Sequence, residues 1–178
     1  MILTFTEVIN FIILILGIGY IFTSNFTQRS ALSFSRFNLK DFKIALIATS
    51  PAVFFHELFH KLIAIAFGHN ATFHIFTPGL LIGVVLKLIN SPFLFIAPGF
   101  VSIPPIANDF QFRLIAFAGP FANLLLFLIA TIILKKAKNL SEKQLIILHL
   151  TKRINIILLL FNMIPFGPLD GAKVLFGS

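Results

Sequence analysis

The sequence predicts a mainly α-helical, polytopic membrane protein with about four transmembrane helices and a short membrane-associated β-hairpin region. Three observations predict it. Of the 178 residues, 58% are hydrophobic and only 11% are charged. Mean hydropathy is +1.00, well above what a water-soluble domain of this length needs. The apolar residues also gather into blocks long enough to cross about 30 Å of hydrocarbon, with the basic residues in the connections between them. That placement gives the net charge of +8 a role in anchoring and orienting helices and argues against nucleic acid as a partner. The expected partner is the lipid bilayer, with the cell membrane as location. Trp is absent and Tyr occurs once, so interfacial aromatic belts are poorly marked and span boundaries are soft.

The first span is expected at about residues 8–23. No basic region or small-residue cleavage site precedes it, so it reads as a retained helix and not a signal peptide. Gly17 and Gly19 allow close helix contact there, and Glu7 reads as an interfacial residue. A basic connection, 24–43, leads to the second span, about 41–67, with Asp41 suited to a helix N-terminus and a kink expected at Pro51. Gly68 ends this helix. Residues 70–105 are broken by prolines and glycines, and their short runs rich in Ile, Val, Phe and Thr favour strands or an extended hairpin. The third span, about 112–134, carries small residues, Pro120 and the amide of Asn123, which suit helix packing with a hydrogen bond across the contact. A second basic connection, 135–153, precedes the fourth span, about 154–176, which is interrupted by Pro165, Gly167 and Pro168. No repeat or soluble stretch divides the chain, so residues 1–178 read as one membrane-embedded domain.

The chemistry is concentrated in His56, Glu57, Leu58, Phe59 and His60. On a helix, His56 and His60 are one turn apart on one face and can hold a zinc ion, and Glu57 can serve as general base on a water there. At 1.5 Å per residue His56 lies roughly 20 Å from the Asp41 end, inside the membrane. Ionisable groups at that depth are expensive and mark function. Asp170, on the fourth span, is the other buried carboxylate. If the two spans meet, it completes a His, His, Asp set with one position open for water, as catalytic zinc requires. Cysteine is absent, which excludes thiolate ligands and disulfides. His69, His74 and His149 read as interfacial or loop residues, with His74 the spare ligand; Asp109 and Glu142 read as solvated flanks.

Three blocks, HELFHKLIAIAFG, FAGPFANL and FNMIPFGPLDGAKVL, in that order, resemble the signatures of the site-2 protease family of intramembrane zinc metalloproteases. The likeness runs from about residue 50 to the end. It implies one zinc ion per chain held by His56, His60 and Asp170, with Glu57 as catalytic base. It also implies that Asn162 holds the substrate strand or the developing oxyanion, and that the region after the second span is a sheet whose edge pairs with an unwound transmembrane-helix substrate. Lys61 departs from the pattern, where a small or apolar residue is expected, and is assigned to snorkelling. The accessory modules of many relatives have no room, so the chain is expected to be a minimal member or a truncated core.

Two other function classes compete with regulated intramembrane proteolysis. A membrane metal transporter or metal-binding protein would use the same ligands, but has no evident need for Glu57. A catalytically silent relative would not need HELFH and LDG intact. Orientation has two readings. Basic-residue counting places loops 24–43 and 135–153 in the cytoplasm, with the metal side outside, whereas the resemblance implies a metal nearer the cytosolic face.

Overall fold

Among the described residues the chain is mainly helical, with four helices long and apolar enough to cross a membrane and one two-stranded sheet. The computed structural model describes residues 3–23, 38–89, 91, 99–106 and 108–177. The four long helices are α1 (Phe5–Phe22), α2 (Leu39–Ala66), α4 (Asp109–Lys136) and α5 (Glu142–Asn162). Between α2 and α4 lie β1 (Thr72–Ile75), α3 (Thr77–Leu88) and β2 (Gly99–Ser102), and α6 (Asp170–Phe176) closes the chain.

Helix α2 is central. It packs against α1 on one side and against α4 and α5 on the other, and touches both strands. Small residues make the close approach possible: Ala45, Ala48, Ala52 and Ala64 of α2, and Ala116, Ala118, Gly119 and Ala122 of α4, are all buried. Gly19 has the same use on α1, since a Cβ there would come within 3.2–3.3 Å of Leu46 and Phe42. The main apolar core joins Phe11, Leu14 and Ile18 of α1 to Ala52 and Val53 of α2, Phe73 of β1 and Leu158 of α5. Pro51 is accommodated inside α2.

The hairpin expected over 70–105 is present only in part. Strands β1 and β2 pair antiparallel, with Phe73 opposite Val101 and Ile75 opposite Gly99. Between them, Thr77–Leu88 is helical, not extended. Pro78 sits in the first turn of α3, where its fixed φ suits helix initiation and its missing N–H costs nothing. The next prolines come only after the helix has ended. Residues 92–98, also part of the expected hairpin, lie outside the described residues, as do 24–37 of the first basic connection.

Two further boundaries differ. Residues 135–153 are mostly helix: α4 continues to Lys136 and α5 starts at Glu142. Ser141 and Gln144 form a reciprocal capping box, which starts α5 well before the apolar run. His149 is therefore a helical residue and not a loop one. The fourth span is also two helices, since α5 ends at Asn162 and α6 begins only at Asp170. Gly167, with φ of +55°, turns the chain between them.

The largest correction concerns Glu7 and Lys61. Neither reaches the protein surface: Glu7 is 1% exposed and Lys61 2%, and they form a buried ion pair between α1 and α2. A snorkelling lysine needs a path to water, and here the Lys61 ammonium is turned onto the buried carboxylate of Glu7. Asp109 is an exposed flank, as expected, and its carboxylate accepts from Arg113 Nε at 2.7 Å.

Candidate metal centre

One turn of helix separates His56 from His60 on α2, and both face α4 and α6. Their Nε2 atoms lie 3.2 Å apart. Asp170 Oδ2 lies 3.1 Å from His56 Nε2 and 3.2 Å from His60 Nε2. All three residues are buried, each 8% exposed. Asp170 reaches the histidines because α6 packs on α4, which itself packs on α2. Arg113 of α4 secures that arrangement: its Nη1 donates to the carbonyls of Val174 (2.8 Å) and Leu175 (2.7 Å) at the far end of α6. These carbonyls would otherwise be orphaned at a helix C-terminus. Gly171 is required as well, because a Cβ there would strike the backbone of Met163.

The hydrogen bonds around the ring decide its protonation. Asn123 is fully buried, and its Nδ2 donates to the Ala52 carbonyl and to Asn155 Oδ1, both at 2.9 Å. Asn155 Nδ2 in turn donates to the Thr151 carbonyl at 2.8 Å. With both amide hydrogens of Asn123 committed, its Oδ1 must face His56 Nδ1, 2.7 Å away. His56 therefore carries its proton on Nδ1. His60 Nδ1 faces the Ile115 carbonyl at 2.7 Å, which only accepts. Its proton is on Nδ1 too. In the neutral imidazoles both Nε2 lone pairs then point with a carboxylate oxygen at one spot.

Three lone pairs converging at 3.1–3.2 Å call for a positive charge among them. The donor set fits zinc: two neutral imidazoles and one carboxylate are ordinary ligands for it. At bond lengths of about 2.0–2.2 Å a tetrahedral ion spaces its ligands by about 3.3–3.5 Å, close to the spacing here. Buried acceptors on the outer nitrogens also orient ligating histidines. Gly119 leaves the space: a Cβ at that position would overlap His60 Nε2 and come within 2.7 Å of His56 Nε2. His56, His60 and Asp170 are the grouping that can hold a metal among the described residues.

Glu57, 6% exposed, borders the same cavity of about 580 Å3. No hydrogen bond or ion pair engages its carboxylate among the described residues. Asn162 also borders the cavity, at the end of α5. Its Nδ2 donates to the Leu158 carbonyl of its own helix at 3.0 Å, which leaves a second N–H for the cavity side. The opposite wall is β2, with Phe100, Val101 and Ser102. His74 is not one of the converging ligands; its ring lies 5.6 Å from Phe100, and His69 pairs with Gln111 at 3.0 Å.

The structure thus brings together the five residues singled out in the sequence and adds Asn123, Asn155, Ile115, Gly119 and Arg113. Asn123 makes the hydrogen bond across the helix contact expected of it, but to a candidate metal ligand. Asn155 carried a signal that went unused: an amide in the middle of an apolar run is costly and needs a partner.

Two known proteins resemble the chain over most of its length. One, from Methanocaldococcus jannaschii and provisionally named a zinc metalloprotease, is 35% identical over 173 residues, 95% of this chain and 83% of its own. Another, from Synechocystis sp. and named in the same way, is 35% identical over 133 residues, 74% of this chain but 30% of its own length. No family model and no solved structure matches.

Proposed function

The chain belongs to the zinc metalloprotease family of these relatives, and from that premise we propose that it is an intramembrane zinc metalloprotease of site-2 protease type. In this reading it hydrolyses peptide bonds within or near transmembrane helices of membrane-protein substrates, as a single membrane-embedded core in the cell membrane. The observation that carries the reading is the convergence of His56 Nε2, His60 Nε2 and Asp170 Oδ2 on one point. His56 and His60 lie on a helix long and apolar enough to span a bilayer, next to the carboxylate of Glu57.

His56, His60 and Asp170 would hold the ion. When bound, zinc supplies Lewis acidity, which makes a water nucleophilic near neutral pH and polarises the scissile carbonyl. Glu57 takes a proton from the attacking water and passes it to the leaving amine. Asn162 offers its free amide N–H to the substrate strand or the developing oxyanion. Asn123 and the Ile115 carbonyl keep both imidazoles in the Nδ1–H tautomer throughout. The β2 strand presents an extended edge on the far side of the cavity, and an unwound substrate segment pairs with it.

The test is cleavage of a tethered transmembrane helix by the purified protein in lipid vesicles, with metal flux followed in parallel. Cleavage that stops with a chelator and returns with zinc is the expected result. Zinc-dependent flux without proteolysis would replace this reading with transport.

A further inference from the structure

The buried carboxylate of Glu7 has no part in the chemistry above, yet it is the most completely satisfied charge in the described structure. Its Oε2 accepts from Thr4 N at 2.8 Å and Thr4 Oγ1 at 3.0 Å. Its Oε1 accepts from Lys61 Nζ and, at 2.7 Å, from the backbone N–H of Phe73. One side chain on α1 therefore ties together three elements. It closes the capping box of its own helix, neutralises the lysine next to His60, and occupies a backbone donor of β1. Phe73, the residue so held, is 1% exposed and stacks on Phe11 of α1 at 4.0 Å and 6°. Across the sheet, Gly99 gives that ring its space, since a Cβ there would come 2.6 Å from it.

The consequence concerns the cavity. A sheet of two four-residue strands is marginal on its own, and β2 is the wall facing the candidate metal centre. Because Glu7 occupies the Phe73 N–H, the outer edge of β1 is closed there, and β2 is left as the edge open to pairing. Resting on the reading of the cavity as a substrate site, we infer that Glu7 and Lys61 are positioning residues for substrate. The pair locks β1 to α2, so that β2 stands at a set distance from the metal centre and alone presents its edge.

The experiment uses the full chain in lipid vesicles and compares wild type with Glu7→Gln and with Glu7→Gln/Lys61→Met. Bound zinc, kcat and KM on a tethered transmembrane helix, and hydrogen exchange at the Phe73 and Phe100 amides are measured together. A buried lysine left without its partner threatens the fold, and the double variant removes both charges to avoid this. In whichever variant folds, the expected result is unchanged zinc, exchange at both amides faster by about tenfold or more, and KM raised about three- to tenfold with kcat within about twofold, the signature of lost substrate binding. Wild-type exchange and KM in the double variant would overturn the proposal. So would zinc and kcat falling together, which would mean that the pair supports the metal centre instead. If the wild-type protein cleaves nothing, the proteolytic reading has failed, and the exchange rates still decide whether the pair holds the sheet.

Discussion

Among the described residues, two clusters of ionisable groups are buried, and they are satisfied in opposite ways. Around Glu7, every acceptor meets a donor: two from Thr4, one from Lys61 and one from Phe73. Around His56, His60 and Asp170 the donors point outward, to Asn123 and the Ile115 carbonyl, while three acceptors converge. Burial alone does not separate the sets, for all five residues are 8% exposed or less. What separates them is where the lone pairs point. A charge whose lone pairs are all met by protein holds structure, and a group of lone pairs turned on one another awaits a cation.

That contrast can be broken at either end. The largest effect is expected at the converging set: Asp170→Ala or His56→Ala should leave the protein unable to retain zinc through purification, as metal analysis would report. Gly119→Ala should approach the same loss, because the added methyl takes the space of the imidazole nitrogens. Retention of a full equivalent of zinc by these variants would separate the converging acceptors from metal binding.

At the satisfied set, the expected effect is on stability. Lys61→Met alone, or Glu7→Gln alone, strands one charged or polar partner and should cost about 3–5 kcal/mol. The double variant should cost clearly less than the two single losses added together, as a thermal or denaturant double-mutant cycle would measure. Additive losses would mean that the pair does not act as one unit. A smaller effect belongs to the link between the helices and the ring. Asn123→Ala should weaken zinc affinity about 10–100-fold without changing the three ligands. Competition with a chelator measures this, and unchanged affinity would remove the tautomer argument.

Much of the site was legible in the sequence because its signals are local. HELFH needs only the helical period to put two imidazoles on one face, and an aspartate far along the chain stood out because carboxylates are rare in apolar spans. The four long helices followed from composition. Other features depend on what packs against what. Lys61 is one residue from His60, and nothing local says that α1 brings Glu7 to it from 54 positions away. The Thr4-Phe5-Thr6-Glu7 and Ser141-Glu142-Lys143-Gln144 capping boxes were visible, and the second marks a helix start inside what looked like a connection. Helix α3 was hidden because Pro78, Gly79 and Gly83 read as breakers. Pro78 instead falls in the first turn, where proline is accepted, and Gly79 and Gly83 are buried.

The central claim is that the converging set binds zinc and that Glu57 beside it does the proton transfer. Bound zinc and cleavage of a tethered transmembrane helix, measured side by side in wild type and Glu57→Gln, test it most directly. The account predicts that the variant keeps the wild-type zinc content while cleavage falls by about 10^2–10^4-fold or more. Cleavage at the wild-type rate in Glu57→Gln would contradict it.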